Sequence, residues 1–182
     1  NGYRRGPDQT TPKRKKYFMI SPEVGLVLAV LFTLGISGLC SVLEAMILST
    51  TAAEIESLRK TRPKLGAQLD KFKREMEETT SAILTLNTIA NTLGATLVGG
   101  LAAKIYGENK LIWFSVGLTV GILIFSEILP KNAGVIYRRS LQPLLVPVLA
   151  VVRFLMAPLS KLCKVTVNLV IQKKPEEAEA DD

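Results

Sequence analysis

Apolar residues are gathered into long runs along the chain, and charged residues fill the intervals between the runs. Residues 25–43, 79–103 and 111–126 contain no charged side chain, and Glu127 ends the third run. A helix of about 20 apolar residues crosses the hydrocarbon core of a bilayer. The pattern predicts an all-α integral membrane protein with three transmembrane helices. Their predicted limits are about 22–48, 79–103 and 111–130.

The first run has a second interpretation, a signal peptide. The apolar core of a signal peptide has about 7–15 residues. Residues 25–43 form a run of 19 uncharged residues, and the apolar pattern continues through Glu44 to Leu48 without a convincing cleavage site. We therefore interpret this run as the first transmembrane helix.

The interval between the first two runs is charged and has a helical pattern. Thr51 and Glu54 have the spacing of a capping box, and Pro63 is typical of the start of a second helix. Four apolar residues at alternating spacings of four and three then give one apolar stripe. They are Leu65, Leu69, Phe72 and Met76. The pattern predicts a helical hairpin over residues 51–78 that packs against the membrane domain.

The fourth apolar region, residues 140–152, has only 13 residues before Arg153 and contains Pro143 and Pro147. Because this is short for a span, we predict a kinked juxtamembrane helical belt at the membrane interface. The predicted organisation is a polar N-terminal arm at 1–19, a transmembrane domain at 20–172 whose belt occupies 138–172, and an acidic tail at 173–182.

Composition excludes several kinds of chemistry. The mean hydropathy is +0.28, and the 182 residues include no histidine and two distant cysteines, Cys40 and Cys163. Zinc sites, histidine-based catalysis and a disulfide framework are therefore not expected. The net charge of +7 comes from basic residues that flank the apolar runs and do not alternate with aromatic residues, so no nucleic-acid partner is expected.

The basic residues also predict orientation. The arm and residues 104–110 carry eight Lys and Arg, whereas the hairpin and the chain after residue 130 carry fifteen. Since cationic loops are retained in the cytoplasm, we expect a multi-pass protein of the plasma membrane with its N-terminus outside and its C-terminus cytoplasmic. The basic cluster at 13–16, beside the first helix, argues for the reverse.

Polar residues share one face on each of the first two spans. Ser37, Ser41 and Glu44 are spaced four and three apart, and Asn87 and Asn91 are one helical turn apart. Their hydroxyl, amide and carboxylate oxygens are hard ligands that suit Mg²⁺, Ca²⁺ or Na⁺. The alternative is that they form interhelical hydrogen bonds.

The third span carries Glu127, for which two interpretations remain open. An ionised group in hydrocarbon is costly, so Glu127 either lies at the wet cytoplasmic interface or faces a cavity or bound ion. Pro130 has no N–H for the carbonyl of Ser126. We therefore predict a helix break beside Glu127, with freed carbonyls as further ligands. Gly117 and Gly121, spaced four apart, are interpreted as a helix-packing surface.

This set of residues resembles the membrane module of the CorC and CNNM (cyclin M) magnesium transporter family. Three motifs occur in the family's order: Ser37 and Ser41 with Glu44, the pair Asn87 and Asn91, and Phe-Ser-Glu-Ile-Leu-Pro-Lys at 125–131. A similar charged hairpin lies between the first two spans. The resemblance covers roughly residues 20–172.

The resemblance implies a homodimer in the lipid bilayer, with a Mg²⁺ ion near the middle of the membrane. The implied ligands are Ser37, Ser41, Asn87, Asn91 and Glu127, with Glu44 as an additional candidate and Pro130 shaping the helix break. In the family, Mg²⁺ movement is thought to be coupled to Na⁺, with export the commoner proposal. Family members usually continue into cytosolic CBS domains that bind adenine nucleotide, so ATP is expected only through such domains, which this sequence does not contain.

Three functions follow from these observations. The leading hypothesis is Na⁺-coupled Mg²⁺ export, and the alternative is a non-transporting, Mg²⁺-sensing membrane anchor for a cytosolic regulatory domain. The third is an intramembrane enzyme with Ser41 as nucleophile and Glu44 nearby. No His or Lys on the membrane faces activates that hydroxyl, so we expect no enzymatic activity.

Overall fold

The computed structural model describes residues 21–170, although not the side chains of residues 160, 161 and 163–170. The predicted arm at 1–19 and tail at 173–182 lie outside these residues. Within 21–170, every element is helical. The elements are α1 (Pro22–Ser49), α2 (Ala52–Thr61), α3 (Pro63–Arg74), α4 (Met76–Tyr106), α5 (Glu108–Ile122), a π-helical segment (Leu123–Ile128), α6 (Leu129–Ile136) and α7 (Arg138–Val170).

The hairpin formed by α2 and α3 begins with the predicted capping box, which the structure confirms. The Thr51 hydroxyl accepts a hydrogen bond from the Glu54 N–H at 3.3 Å, and the Thr51 N–H donates to the Glu54 carboxylate at 3.1 Å. Pro63 is the first residue of α3, where no N–H is needed. The predicted apolar stripe is also confirmed. Leu69 and Phe72 are buried in the main core, and Leu65 and Met76 are partly buried and pack against it.

α1 and α4 pack along each other in antiparallel order. Three contacts follow one another along the pair: Gly25 with Leu101, Thr33 with Gly94, and Ser37 with Asn87. A Cβ at residue 94 would overlap the Thr33 side chain. Glycine at this position therefore allows the two helices to approach closely.

α5, the π segment and α6 form a third long helix that packs on α1 in parallel. Three pairs, each separated by 92 residues, define the contact: Leu34 with Ser126, Gly38 with Pro130, and Val42 with Gly134. The constant separation means that the two helices keep one register over these turns. α1, α4 and this third helix therefore alternate in direction.

The sequence pattern predicted a helix break at Pro130, but the structure contradicts this, because the third helix continues through Pro130. In the turn before Pro130, the backbone hydrogen bonds change from the α to the π pattern, so that the Leu129 N–H donates to the carbonyl of Ile124, five residues back. Pro130 then lies in the first turn of α6, which continues to Ile136. The departure from α-helical geometry is therefore a π turn within a continuous helix. This turn allows the helix to continue although proline has no N–H to donate.

Four helices within residues 22–159 are long and apolar enough to cross a membrane, one more than predicted. They are Pro22–Ser49, Met76–Tyr106, Glu108–Ile136 and Arg138–Leu159. The last belongs to α7, a single helix of 33 residues despite Pro143, Pro147 and Pro158. The region looked short in the sequence because Arg153 interrupts it. In the structure, the Arg153 guanidinium lies 2.6 Å from the Glu75 carboxylate, so its charge is paired.

Two clusters of buried apolar residues lie towards opposite ends of the long helices. The larger cluster includes Met46, Leu69 and Leu149, where the hairpin and α7 meet α1 and α4. The smaller cluster includes Leu26 and Val98, and α5 packs against it. The polar residues of α1 and α4 adjoin the larger cluster: Ser37 and Ser41 alternate with its members on α1, and Asn87 follows Leu86 on α4.

Candidate cation site

Hydrogen bonds join the polar faces of α1 and α4. The Ser37 hydroxyl donates to Asn87 Oδ1 at 2.8 Å, and Asn91 Nδ2 donates to the same oxygen at 3.5 Å. Ser37 is fully buried, whereas Asn87 and Asn91 are half-buried. The structure thus brings together three of the predicted ligands, from two helices.

Two oxygens at this junction are buried without a hydrogen-bond partner. They are Ser41 Oγ, one turn along α1 from Ser37, and Asn91 Oδ1. Leaving a buried polar atom unpaired costs about 1–3 kcal/mol, so each such atom calls for an explanation, such as an ion. Because no donor among the described residues uses these lone pairs, the junction fits an oxygen-coordinated cation.

Glu127 lies at a similar depth on the third helix. Its neighbour Ser126 is fully buried and donates a hydrogen bond to the Leu34 carbonyl at 3.0 Å. The 92-residue register places Glu127 opposite Gly35, less than one turn from Ser37. Glu127 is half-buried, and among the described residues its carboxylate has no hydrogen-bond or ion-pair partner. The structure does not bond it to the serines or asparagines.

The π segment also brings a backbone oxygen towards α1. The Phe125 carbonyl oxygen lies 3.8 Å from the position that a Cβ would occupy on Gly38. In π-helical bonding this carbonyl would accept from residue 130, which is a proline without an N–H. The Phe125 carbonyl, rather than the Ser126 carbonyl that the sequence suggests, is therefore the specific candidate for a backbone ligand.

Glu44, the additional candidate ligand, forms an ion pair with a lysine. Its carboxylate lies 3.1 Å from the Lys131 ammonium on α6. The pair with Lys131 was not predicted from the sequence, because the spacing of four between Glu127 and Lys131 suggests a pair within one helix. The contact of Ser126 with α1 was not predicted either. The only signal for that contact was its small size beside Glu127.

Gly117 and Gly121 form no packing surface within the described chain. No atom lies within 4 Å of the Cβ that either residue would carry, and α5 has no buried residue. Close helix contacts use Gly94 and Gly134 instead. The predicted packing role of Gly117 and Gly121 would need a packing partner other than the part of the chain that the structure describes.

The donor set is suited to a hard cation. It combines one carboxylate with neutral hydroxyl, amide and carbonyl oxygens. Within residues 21–170, no three His, Cys, Asp or Glu side chains gather as a metal-binding cluster. A single carboxylate attracts a cation without burying excess negative charge, which allows the ion to leave again.

The fold and this junction define a multi-pass membrane protein with a polar centre between its long helices. Residues 28–181 match the family described as the cyclin M transmembrane N-terminal domain, CNNM, and the chain belongs to that family. The resemblance drawn from the motifs is thus confirmed.

Two relatives are each 30% identical to this chain. One is a UPF0053 protein of Synechocystis, matched over 116 residues, and the other is a chloroplastic DUF21 domain-containing protein of Arabidopsis thaliana, matched over 124 residues. The matches cover 64% and 68% of this chain but 34% and 18% of the relatives. The chain therefore spans about a third of the first relative's length and less than a fifth of the second's.

Proposed function

We propose that this chain is the membrane domain of a magnesium transporter. The observation that carries the proposal is the pair of buried, unpartnered oxygens, Ser41 Oγ and Asn91 Oδ1, beside the bond between Ser37 and Asn87. Glu127 adds one carboxylate at a similar depth. Mg²⁺ prefers six oxygen ligands. Five side chains and the Phe125 carbonyl are enough groups for a largely dehydrated ion.

Coupling to Na⁺ belongs to the same proposal. Na⁺ also takes oxygen ligands and can compete for a site with one carboxylate. We propose that the protein exports Mg²⁺ across the plasma membrane, with its N-terminus outside and the hairpin in the cytoplasm. The support is the distribution of basic residues together with membership of the cyclin M family.

We further propose that α7 is an interfacial belt and that the domain has three spans. The Gln142 amide donates to the Thr50 hydroxyl just after α1, and Arg153 donates to Glu75 just before α4. Because α1 and α4 are antiparallel, these two places lie at the same end of the bundle. Residues 142 and 153 are about 16 Å apart along a helix. This part of α7 therefore runs across the end of the bundle, which suits a helix at the membrane surface.

A homodimer is supported by surfaces that remain exposed. Thr88, Thr92 and Thr96 lie on an exposed face of α4, and α5 buries no residue. Small and hydroxyl-bearing residues are typical of contacts between transmembrane helices. A second copy of the chain would cover these surfaces and give Gly117 and Gly121 a packing partner.

Calorimetric titration of Mg²⁺ into the detergent-purified chain tests the site. Glu127→Gln keeps the shape of the side chain but removes its charge, so we expect Mg²⁺ binding to weaken by about tenfold or more. Glu44→Gln is the matched control, since Lys131 already engages that carboxylate. We expect it to retain binding. Na⁺ and Ca²⁺ are added as competitors.

A flux assay in liposomes then separates transport from sensing. Transport predicts Mg²⁺ flux that is lost in Glu127→Gln and retained in Glu44→Gln. Saturable Mg²⁺ binding without flux, in the longest natural form of the protein as well, would favour the sensing anchor. Equal binding by wild type and Glu127→Gln would reject the assignment of Glu127 to the site.

A further inference from the structure

A cavity of about 310 Å³ lies between α2 and the beginning of α7, away from the candidate cation site. Its polar lining residues include Ser57, Thr61, Arg62, Arg139 and Gln142. A volume of this size is typical of a small-molecule site. The lining offers several hydrogen-bond donors within one concave surface.

The charge of this cavity is positive even though Glu54 contributes to its wall. The Glu54 carboxylate is buried and accepts hydrogen bonds from Arg138 Nε, Arg139 Nε and the Thr51 N–H. Its negative charge is therefore already matched. Arg139 is bonded through Nε, which leaves its terminal nitrogens for another acceptor. No side-chain partner of Arg62 is found among the described residues.

The location of the cavity indicates what kind of anion it would meet. It lies beside the end of α1, since Gln142 in its wall donates a hydrogen bond to Thr50. This is the level at which a transmembrane helix leaves the hydrocarbon and enters the layer of lipid head groups. Clusters of Arg at this level bind anionic lipids.

An exposed apolar face of α7 begins next to the cavity. Pro143 lines the cavity, and the adjacent Leu144 is 66% exposed. Further exposed apolar residues continue this face along the helix: Val151, Phe154 and Leu155. A molecule with a phosphate in the cavity would therefore have apolar surface within reach for acyl chains.

We propose that this cavity binds the phosphate head group of an anionic phospholipid, held by Arg62 and Arg139, with the acyl chains along α7. Guanidinium groups pair with phosphate through two parallel hydrogen bonds. The Ser57 hydroxyl adds a neutral donor, and the Gln142 amide has a second N–H beside the one that it donates to Thr50. A free phosphate would satisfy the same donors but would make no use of the apolar face, which is why the lipid is the assigned source.

The test is lipid binding by the purified chain in a neutral detergent, measured by native mass spectrometry with phosphatidylglycerol and, separately, phosphatidylcholine. Arg62→Gln is the principal variant because no side-chain partner of Arg62 is lost. Arg74→Gln is the matched control, since Arg74 is exposed on α3 and pairs with Asp70 outside the cavity. Circular dichroism establishes that both variants remain helical.

We expect phosphatidylglycerol to bind more tightly than phosphatidylcholine, and Arg62→Gln to weaken it about fivefold, the value of one basic residue near an anionic lipid. Arg74→Gln should leave the affinity unchanged. Equal loss in both variants, or no preference for the anionic lipid, would overturn the proposal. A third arm adds inorganic phosphate as competitor. Displacement of the lipid by phosphate at equal concentration would show that the cavity recognises phosphate alone and would reject the lipid assignment.

Discussion

Two buried serines near the candidate site use their hydroxyls differently. The Ser126 hydroxyl donates to the Leu34 carbonyl and so joins the third helix to α1. The Ser41 hydroxyl is buried and has no partner. An unpaired buried hydroxyl destabilises the fold, whereas a paired one stabilises it. Replacing each serine by alanine should therefore change the stability of the protein in a different way.

We expect Ser41→Ala to leave the metal-free protein as stable as wild type, or more stable by up to about 1 kcal/mol. The same change should reduce the thermal stabilisation produced by Mg²⁺, because a ligand oxygen is lost. Ser126→Ala should instead lower stability by about 1 kcal/mol with and without the ion. Thermal unfolding in EDTA and in excess Mg²⁺ distinguishes the two. An unchanged Mg²⁺ response in Ser41→Ala would exclude Ser41 as a ligand.

At the residue scale, the sequence predicts which face of a helix a side chain lies on, but not which side chain it contacts on another helix. The spacing of Asn87 and Asn91 placed both residues on one side of α4, and that side meets Ser37 through a hydrogen bond, as both the cation hypothesis and the interhelical hydrogen-bond alternative require. The pair formed by Glu44 and Lys131 could not be foreseen. It depends on the register between two helices that are far apart in the chain, and no local spacing encodes that register.

At the scale of elements, a buried carboxylate holds the hairpin against α7. Burial by itself raises the pKa of Glu54, but hydrogen bonds from Arg139, the Thr51 N–H and Arg138 outweigh it. Together they lower the pKa from its ordinary value of 4.5 to about 2. The ionised form of Glu54 is therefore the one that stabilises the fold.

The pH dependence of stability follows from this pKa. Because the folded-state pKa is depressed, the contribution of Glu54 is complete above about pH 4.5 and is lost as the pH falls towards 2. Glu54→Gln should lower stability at neutral pH by about 3 kcal/mol and should weaken the pH dependence in acid. Thermal unfolding between pH 7 and pH 2.5 measures both effects. The control is Glu56→Gln, an exposed carboxylate on the same helix, which should retain the wild-type pH profile. A wild-type profile in Glu54→Gln would contradict the assignment.

Helix starts were predictable, but the continuity of α7 was not. The capping box and Pro63 are local signals, readable from neighbouring residues. The sequence made α7 look short because a charge at Arg153 ends the apolar run. That charge is matched by Glu75, and its guanidinium lies 5.0 Å from the centre of the Phe72 ring. Both partners belong to another part of the chain, so only the tertiary structure reveals why α7 continues.

At the scale of the whole molecule, the distribution of burial is uneven. α1 supplies much of the buried surface, including Leu43, Met46 and Ile47, and it contacts α4, the third helix and α7. α5 has no fully buried residue and packs only through partly buried side chains on the smaller cluster. The exposed face of α5 and the row of exposed threonines on α4 are the surfaces on which we expect a second copy to pack.

Single cysteines at residues 88, 92 and 96 test this dimer, in a background where Cys40 and Cys163 are replaced by alanine. We expect oxidation in native membranes to give a disulfide-linked dimer at one or more of these positions, because residues near a two-fold axis meet their own copies. Phe32→Cys, on the exposed face of α1, should remain monomeric. Cross-linking at Phe32 alone would place the interface on α1 and reject the proposed one.

The π turn at Leu123–Ile128 has a consequence for how this protein tolerates changes in length. A π turn is equivalent to one residue inserted into an α-helix, absorbed by the hydrogen-bond ladder. Deleting a single residue there should restore α-helical bonding and leave α5 and α6 in nearly the same relative orientation, because the turn had absorbed the extra residue. α6 is held by the contact of Gly134 with Val42, so the change would be confined to the turn, where it would alter which carbonyls are left without an N–H beside Glu127. The number of residues in this turn therefore matters as much as their identity.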